Sequence, residues 1–312
     1  HTHTHTHTHT QNFGSSYGQG NIFACTQSWR KMHVCMNSKK KKIKMSKNLY
    51  IVMHDFSSVG DVALNYALHL GRHIHTEIQV LHLVATKEEL VKAQLKMNSI
   101  IDSIKCPAGI ELTKLVKVGS IFEDVGKIAK QEGAQLILMG THGAKGMQKL
   151  LGSNAMKVVT SSEIPFLVVQ KDTQLNEIKN ILVPIDLTKE SLQIVNIAGD
   201  MATIYGANVH VIGEKHNDEL LSQQMKNRIL IVKNQYLDRK ISCSVELLKD
   251  SGSYQKKIMN YAKEKNIDLI SIAYHSESLL PQFDTFAQSL ITNEQQLPCM
   301  VLNSKLASAL YF

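Results

Sequence analysis

The chain has 312 residues and a formal charge of +8 at pH 7, enough length for two domains that each bury a core. The charge is concentrated at the amino end, because residues 1–45 contain seven of the 35 basic residues and no Asp or Glu, which leaves 28 basic against 27 acidic residues in 46–312. A nearly neutral body argues against a nucleic-acid partner, and no apolar run approaches the roughly 20 residues that a membrane helix needs.

Residues 1–45 differ from the rest of the chain. They begin with HTHTHTHTHT and end near the lysine run at 39–44, without an apolar period. We interpret them as a disordered or artefactual leader, with Met45 as a natural start. The alternatives are a histidine arm that binds zinc or nickel and a nucleic-acid contact through the lysine run. The five cysteines are scattered without CxxC spacing, so neither a disulfide framework nor a zinc site is expected, and we predict a cytoplasmic protein.

The first half of the chain alternates between predicted strands and helices. The runs typical of strands are, in chain order, LYIVMHDFS from Leu49, EIQVLHLVA, IELTKLVKVG, AQLILMG and FLVVQ. Helical spacing of apolar residues occurs between them in VGDVALNYALHLGRHI, KEELVKAQLKMNSIIDSI and SIFEDVGKIAKQEG. Ser120 is predicted to cap the third of these helices, and Gly133 to end it. Strands rich in Val, Ile and Leu that alternate with helices indicate a parallel sheet covered on both faces.

A cluster of glycines follows the strand AQLILMG and precedes a further helical pattern. Residues 139–159 read MGTHGAKGMQKLLGSNAMKVV and contain Gly140, Gly143, Gly146 and Gly152. Glycine leaves room for the close approach of another group, so a cluster at the carboxyl end of a strand predicts a ligand cradle. The alternative is a tight turn from strand to helix.

The pattern starts again at NILVPIDLT, residues 180–188, where Asp186 stands at the position of Asp55. From the third strand on, the two halves keep an offset of 133 residues, so that Gly119-Ser120 matches Gly252-Ser253. The second half has Ala273 in place of Gly140 and lacks the glycine cluster. We therefore expect that the fold does not require these glycines and that they serve a ligand in the first half.

Taken together, five segments resemble the universal stress protein family in its tandem form: MHDFS, VLHLV, LILMGTHG, GSNAMKVV and IPFLVV. The resemblance implies two repeated doubly wound parallel five-stranded sheets, similar to adenine nucleotide alpha-hydrolases, packed as an internal pseudo-dimer. Residues 166–170 and 299–303 would pair across the halves. The expected domains are 46–172, with the glycine motif, and 177–305, a degenerate copy.

The resemblance also implies a nucleotide site, because some family members bind ATP through a shared set of positions. Carried over to this chain, they are Asp55, Leu83, Gly140, Gly143, Gly152, Ser153 and Asn154. The second gap of the glycine motif is eight residues here, where the family has nine. Physically, glycines admit backbone N–H groups to a phosphate, and a helix amino terminus favours an anion. Ser153 is equally typical of a helix cap, Asp55 could cap the helix after it, and Asp186 is interpreted as a structural turn residue.

The leading hypothesis is a non-enzymatic stress-response regulator that holds one adenine nucleotide, with ATP as the possible ligand and neither catalytic residues nor a metal. One alternative is a scaffold without nucleotide that acts through protein contacts, with the tandem chain able to pair further into a homodimer. A slow ATPase is the weaker alternative, since no G-x4-GK[ST], G-x-S-x-G or HExxH motif occurs.

Overall fold

The computed structural model describes residues 48–141, 152–249, 251–274 and 285–304, all within one compact unit, residues 47–312. The strands are β1 Asn48–Met53, β2 Thr76–Val84, β3 Ile110–Val118, β4 Leu136–Thr141, β5 Phe166–Gln170, β6 Asn180–Pro184, β7 Asn208–Glu214, β8 Cys243–Leu248, β9 Leu269–Tyr274 and β10 Cys299–Asn303. The helices are α1 Ser58–Leu70, α2 Leu90–Ser103, α3 Val125–Glu132, α4 Gly152–Val159, α5 Ile194–Tyr205, α6 Glu219–Asp238, α7 Tyr254–Glu264 and α8 Thr285–Ile291. Short 3-10 turns cover Gly71–His73 and Glu190–Leu192.

All ten strands form one sheet in the order β3-β2-β1-β4-β5-β10-β9-β6-β7-β8. Neighbours within each half are parallel, whereas β5 and β10 are antiparallel, with Met300 opposite Leu167. The predicted pairing of 166–170 with 299–303 is therefore confirmed, and so is the doubly wound architecture of each half. The two halves are related as a pseudo-dimer inside one chain.

The sheet is buried on both faces, as its apolar strands predict. Successive side chains of a strand point to opposite faces. Val52 and Leu138 belong to one core cluster, which includes residues of α1, α2, α5 and α6, while Ile51 and Ile137 belong to another, which includes residues of α3, α4, α7 and α8. Each face thus carries one continuous core that crosses from the first half to the second. Within the ranges described, no helix has the length and apolar character needed to cross a membrane.

Hydrogen bonds fasten the two halves beside the central strand pair. The Gln170 side chain donates to the Asn293 carbonyl at 3.0 Å, and the Thr173 hydroxyl donates to the Gln296 carbonyl at 2.8 Å. At another point the Tyr205 hydroxyl donates to the Leu70 carbonyl at 3.2 Å. These bonds join residues more than 120 positions apart, so they fix one half against the other in addition to the strand pairing.

The ends of α3 confirm one prediction and correct another. Gly133 ends the helix in the left-handed conformation at φ 76°, as expected of glycine at this position. Ser120 does not cap it, since α3 begins at Val125. The physical reason is a turn ahead of the helix, in which Asp124 Oδ2 accepts the Ser120 N–H at 2.9 Å and Ser120 Oγ accepts the Phe122 N–H. Its counterpart Ser253 does cap α7, accepting the Lys256 N–H at 3.4 Å.

Candidate functional site

Three of the predicted site residues meet at one end of the first-half sheet. The strand order places β1 between β2 and β4. The strands after β1 are added first on one side of it (β2, β3) and then on the other (β4, β5), so the order of the strands changes direction at β1 and β4. Ligands of open α/β sheets bind at such a point. Asp55, Leu83 and Gly140 line a cavity of about 80 Å³ there. Pockets that enclose a drug-sized ligand have volumes of roughly 300–1,000 Å³, so the cavity could enclose only part of such a molecule.

The other predicted residues belong to the loop and helix after β4. Gly143 lies outside the described residues. Gly152 and Ser153 open α4, and Asn154 follows them in its first turn with a partly buried side chain. The helix has eight residues, and the backbone N–H groups of its first turn lie at the positive end of the helix dipole.

Gly140 has a packing reason that sequence analysis missed. A Cβ atom at this position would lie 2.6 Å from the Val59 carbonyl oxygen, because the first turn of α1 crosses β4 at close range. In the second half, the equivalent helix α5 begins only at Ile194, after a 3-10 turn, and Ala273 takes the glycine's place. The expectation that the fold does not require the glycines is therefore wrong at Gly140.

Asp55 organises the start of α1 and keeps one oxygen available. Its Oδ1 accepts hydrogen bonds from the Ser57 N–H at 3.1 Å and from the Ser57 hydroxyl. Ser57 in turn caps α1 by accepting the Gly60 N–H at 3.2 Å. Asp55 is exposed, and its Oδ2 has no hydrogen-bond partner among the described residues. A carboxylate oxygen in this setting can accept hydrogen bonds from a ligand hydroxyl.

His54 was not predicted as a site residue, although it lines the same cavity. Its side chain is fully buried. Nδ1 accepts the Phe56 N–H at 3.0 Å, so the proton resides on Nε2, which donates to Asp61 Oδ1 at 3.1 Å. Both ring nitrogens are thus engaged within the protein. The repeat carried a signal for this residue, because the second half has the apolar Ile185 at the same position.

Phe56 forms an aromatic wall beside the cavity in a strained backbone conformation. Its φ is 64°, a value that bulky side chains rarely adopt. The centroid of the Phe56 ring lies 4.1 Å from that of His82. Lys96, on α2, places its Nζ 5.3 Å from the centroid of the Phe56 ring. His82 Nδ1 donates to the His54 carbonyl at 2.6 Å.

A second cavity, of about 390 Å³, lies against the same wall. Phe56, Lys92 and Lys96 contribute to its lining, while His82 and Leu83 border both cavities. An aromatic wall with two nearby ammonium groups suits a planar, electron-rich or anionic ligand. The two cavities therefore form adjoining parts of one candidate site.

In the second half, side chains of the protein fill the equivalent position. Tyr254 replaces Ile121 in the 133-residue offset, and its hydroxyl contacts the carbonyl oxygens of Ile185 at 3.0 Å and Ile212 at 3.2 Å. Its ring stacks on Phe286 with a centroid distance of 6.0 Å. Burial raises the pKa of the Tyr254 hydroxyl well above its usual range, and the charges of Asp186 and Glu214 act in the same direction. The hydroxyl therefore stays protonated and remains a donor.

Charged residues complete this replacement. Glu214, at the position of Leu83, forms an ion pair with Lys257 at 2.7 Å. Arg228 Nη1 reaches over from α6 and donates to the carbonyls of Asp186, at 3.0 Å, and Thr188. Asp186 Oδ1 accepts the Thr188 N–H at 2.8 Å, the structural turn that the sequence predicts. The polar groups named at this position of the second half thus have partners within the protein.

Comparison with known proteins accounts for both halves. The model of the universal stress protein family matches residues 50–170 and, a second time, residues 177–302. The chain belongs to the universal stress protein family. Both matches cover the same repeated fold, so the tandem organisation of this universal stress protein is confirmed along with its family.

Individual relatives of this universal stress protein are distant. Universal stress protein MJ0577 of Methanocaldococcus jannaschii is 35% identical over 81 residues, which are 26% of this chain and 49%, about half, of that protein. Universal stress protein MJ0531 of the same organism is 26% identical over 148 residues, 41% of this chain and 87% of its own. The crystal structure of a universal stress protein from Archaeoglobus fulgidus matches with a TM-score of 0.65 at 19% identity, over 83% of this chain and 99% of that one. At that identity the structural likeness shows the fold.

Proposed function

We propose that this universal stress protein is a regulatory protein that binds one adenine nucleotide, ATP being the first candidate, in its first half only. The observation that carries the proposal is the contrast between equivalent positions. Asp55, Leu83 and Gly140 border a cavity, whereas in the second half Tyr254 bonds to the Ile185 and Ile212 carbonyls and Glu214 pairs with Lys257. One site per chain follows from this contrast.

The residues of the first half supply the contacts that such a ligand needs. Asp55 Oδ2 would accept hydrogen bonds from ribose hydroxyls, and the Phe56–His82 wall offers a stacking surface for a base. Phosphates would lie toward the amino terminus of α4, where backbone N–H groups and the helix dipole favour negative charge. The shortened glycine motif would determine how closely they approach.

Binding, rather than turnover, is the proposed activity. His54 is the buried imidazole nearest to Asp55 in sequence, and both of its nitrogens already serve Phe56 and Asp61. A general base needs an unengaged acceptor atom within hydrogen-bond reach of the proton it removes, and the His54 ring offers none. Slow hydrolysis of a bound nucleotide would then be incidental.

The alternative is a scaffold that holds no nucleotide and acts through protein contacts. Two observations favour it: the cavity beside Asp55 measures only about 80 Å³, and Gly140 has a packing role that needs no ligand.

A matched pair of variants tests the two functions. Calorimetric titration of the full chain with ATP, together with the mass and ultraviolet spectrum of any compound released on denaturation, should give about one nucleotide per chain. Asp55→Asn retains an oxygen for Ser57 but presents an amide to the ribose, so we expect roughly tenfold weaker binding, the loss of one charged hydrogen bond. Asp186→Asn makes the same change in the second half and should leave affinity unchanged.

The result that contradicts nucleotide binding is an empty protein that takes up no ATP at millimolar concentration and shows no thermal shift. That result would favour the scaffold. Equal losses of affinity in the two Asp→Asn variants would contradict a single site in the first half.

A further inference from the structure

Helix α6 exposes an unusual apolar surface. It has 20 residues, and its inner side packs Met225, Ile229, Val232 and Tyr236 into the core. On the opposite side Leu220 is 68% exposed, Leu230 55%, Ile231 65% and Leu237 50%. The equivalent helix of the first half, α2, exposes two such residues, Val91 and Leu95.

Six exposed residues of α6 lie at two positions of a seven-residue period, on the side of the helix opposite the core. Leu220, Asn227 and Asn234 share one heptad position. Gln223, Leu230 and Leu237, three residues further on, share another. Apolar residues at two positions of this spacing form the contact seam of a coiled coil, and a single asparagine in the seam selects register and partner. The seam contains three leucines and three amide residues, a composition that favours specificity over strength.

The seam is complementary to a second copy of itself. An interface with two-fold symmetry places identical patches against each other, so a charged patch would repel its own copy. None of the six seam residues is charged. Gln223 Nε2 donates to Asn227 Oδ1 at 2.9 Å within the helix, and the remaining donors and acceptors of the seam amides can pair with the same residues of another chain. Beside the seam, Lys233 and Asp238 are five residues apart, the spacing at which opposite charges of two parallel helices meet.

We propose that α6 binds α6 of a second copy of this chain, in parallel, along the seam of residues 220, 223, 227, 230, 234 and 237. The strands β5 and β10 already pair with each other, so the centre of the sheet is covered within one chain. A 20-residue helix is about 30 Å long, and two such helices bury less than the roughly 800 Å² per partner of a stable interface. The dimer is therefore weak and depends on concentration.

Sedimentation velocity of the full chain tests the proposal. As concentration rises from about 10 µM to about 1 mM, the range of a weak complex, the weight-average mass should increase from 34.9 kDa toward twice that value. Leu230→Glu places a charge against its own copy and should abolish the increase. Leu95→Glu on α2 is the matched control, because Leu95 is 63% exposed, and it should leave the increase intact. Circular dichroism checks that both variants stay folded.

A third variant tests the register of the seam. Asn227→Leu removes a polar residue from the seam and should strengthen association at least several-fold, since a seam asparagine lowers coiled-coil stability. A wild-type mass that stays at one chain throughout, including the case in which α6 serves a different protein, overturns the proposal. So does association that Leu230→Glu leaves unaltered.

Discussion

The first half and the second half of the chain share one fold and differ at its functional end. In the first half, the ends of β1, β2 and β4 border the smaller cavity, with Ile121 in its lining, and the second cavity adjoins it at the end of β2. In the second half, Tyr254 stands at the position of Ile121 and bonds to the carbonyl oxygens of both neighbouring strands. A doubly wound sheet thus tolerates either a cavity or a filled position at the carboxyl ends of its central strands, because the residues that form its core lie elsewhere.

Filling a site in this way turns a binding position into a structural one. The Ile185 carbonyl accepts the Tyr254 hydroxyl, whereas the matching carbonyl of His54 accepts the His82 ring. The second half therefore has a hydrogen-bonded tyrosine where the first half has a histidine ring that lines a cavity. The comparison predicts that equivalent substitutions will have unequal effects.

The largest difference in stability loss between equivalent substitutions should appear at Ile121 and Tyr254. The Tyr254 hydroxyl lies deep in the fold although its ring is partly exposed, so Tyr254→Ala removes packing and the donor to two carbonyl oxygens. We expect it to lower the free energy of unfolding by about 3 kcal/mol. Ile121→Ala, at the edge of an open cavity, should cost about 1 kcal/mol by loss of partly buried apolar area alone. Urea denaturation of both variants measures the difference, and equal losses would show that the second-half position is not filled in solution.

A smaller inequality is expected where α1 and α5 cross the sheet. Gly140→Ala forces a methyl group against the Val59 carbonyl and should cost about 2 kcal/mol by overpacking. The reverse change in the second half, Ala273→Gly, removes a methyl group that fits and should cost about 1 kcal/mol or less. Differential scanning calorimetry of the two variants compares them. A Gly140→Ala protein as stable as wild type would remove the packing explanation and leave the ligand explanation for this glycine.

The smallest expected difference in stability concerns Phe56 and Leu187, the residues that follow Asp55 and Asp186. Phe56 has φ 64°, while its counterpart Leu187 is not among the residues with positive φ. Phe56→Gly and Phe56→Ala both remove the ring, but only glycine adopts positive φ without cost, so the glycine variant should be more stable by about 1 kcal/mol. At Leu187 the order should reverse, with alanine the more stable. Chemical denaturation of the four variants measures both orders, and the same order at both positions would contradict the strain at Phe56.

Much of the fold could be predicted from the sequence because it depends on local pattern. Apolar runs such as FLVVQ and CMVLN identify buried strands, and the repeated register locates the second copy. Gly133 ended α3 as predicted, since the reason for a glycine there is confined to its own turn. Ser120 failed as a cap because a nearby aspartate, Asp124, holds a competing turn.

The site was harder to predict because its determinants are contacts between distant segments. Asp55, Leu83 and Gly140 do meet in one cavity, but the need for Gly140 depends on Val59, 81 positions earlier in the chain. The burial of His54 and the hydroxyl bonds of Tyr254 likewise depend on partners on other elements. Only the substitution pattern between the repeats, such as His54 against Ile185, pointed toward them.

The antiparallel pairing of β5 with β10 has a consequence for how this protein can change over generations. Two identical subunits joined through this strand pair would both carry every substitution, so a tyrosine that closed one pocket would close both. With both copies in a single polypeptide, each position in one copy varies independently of its twin. One copy can then become a permanent structural support for the other, and selection on ligand binding needs to act on only half of the chain.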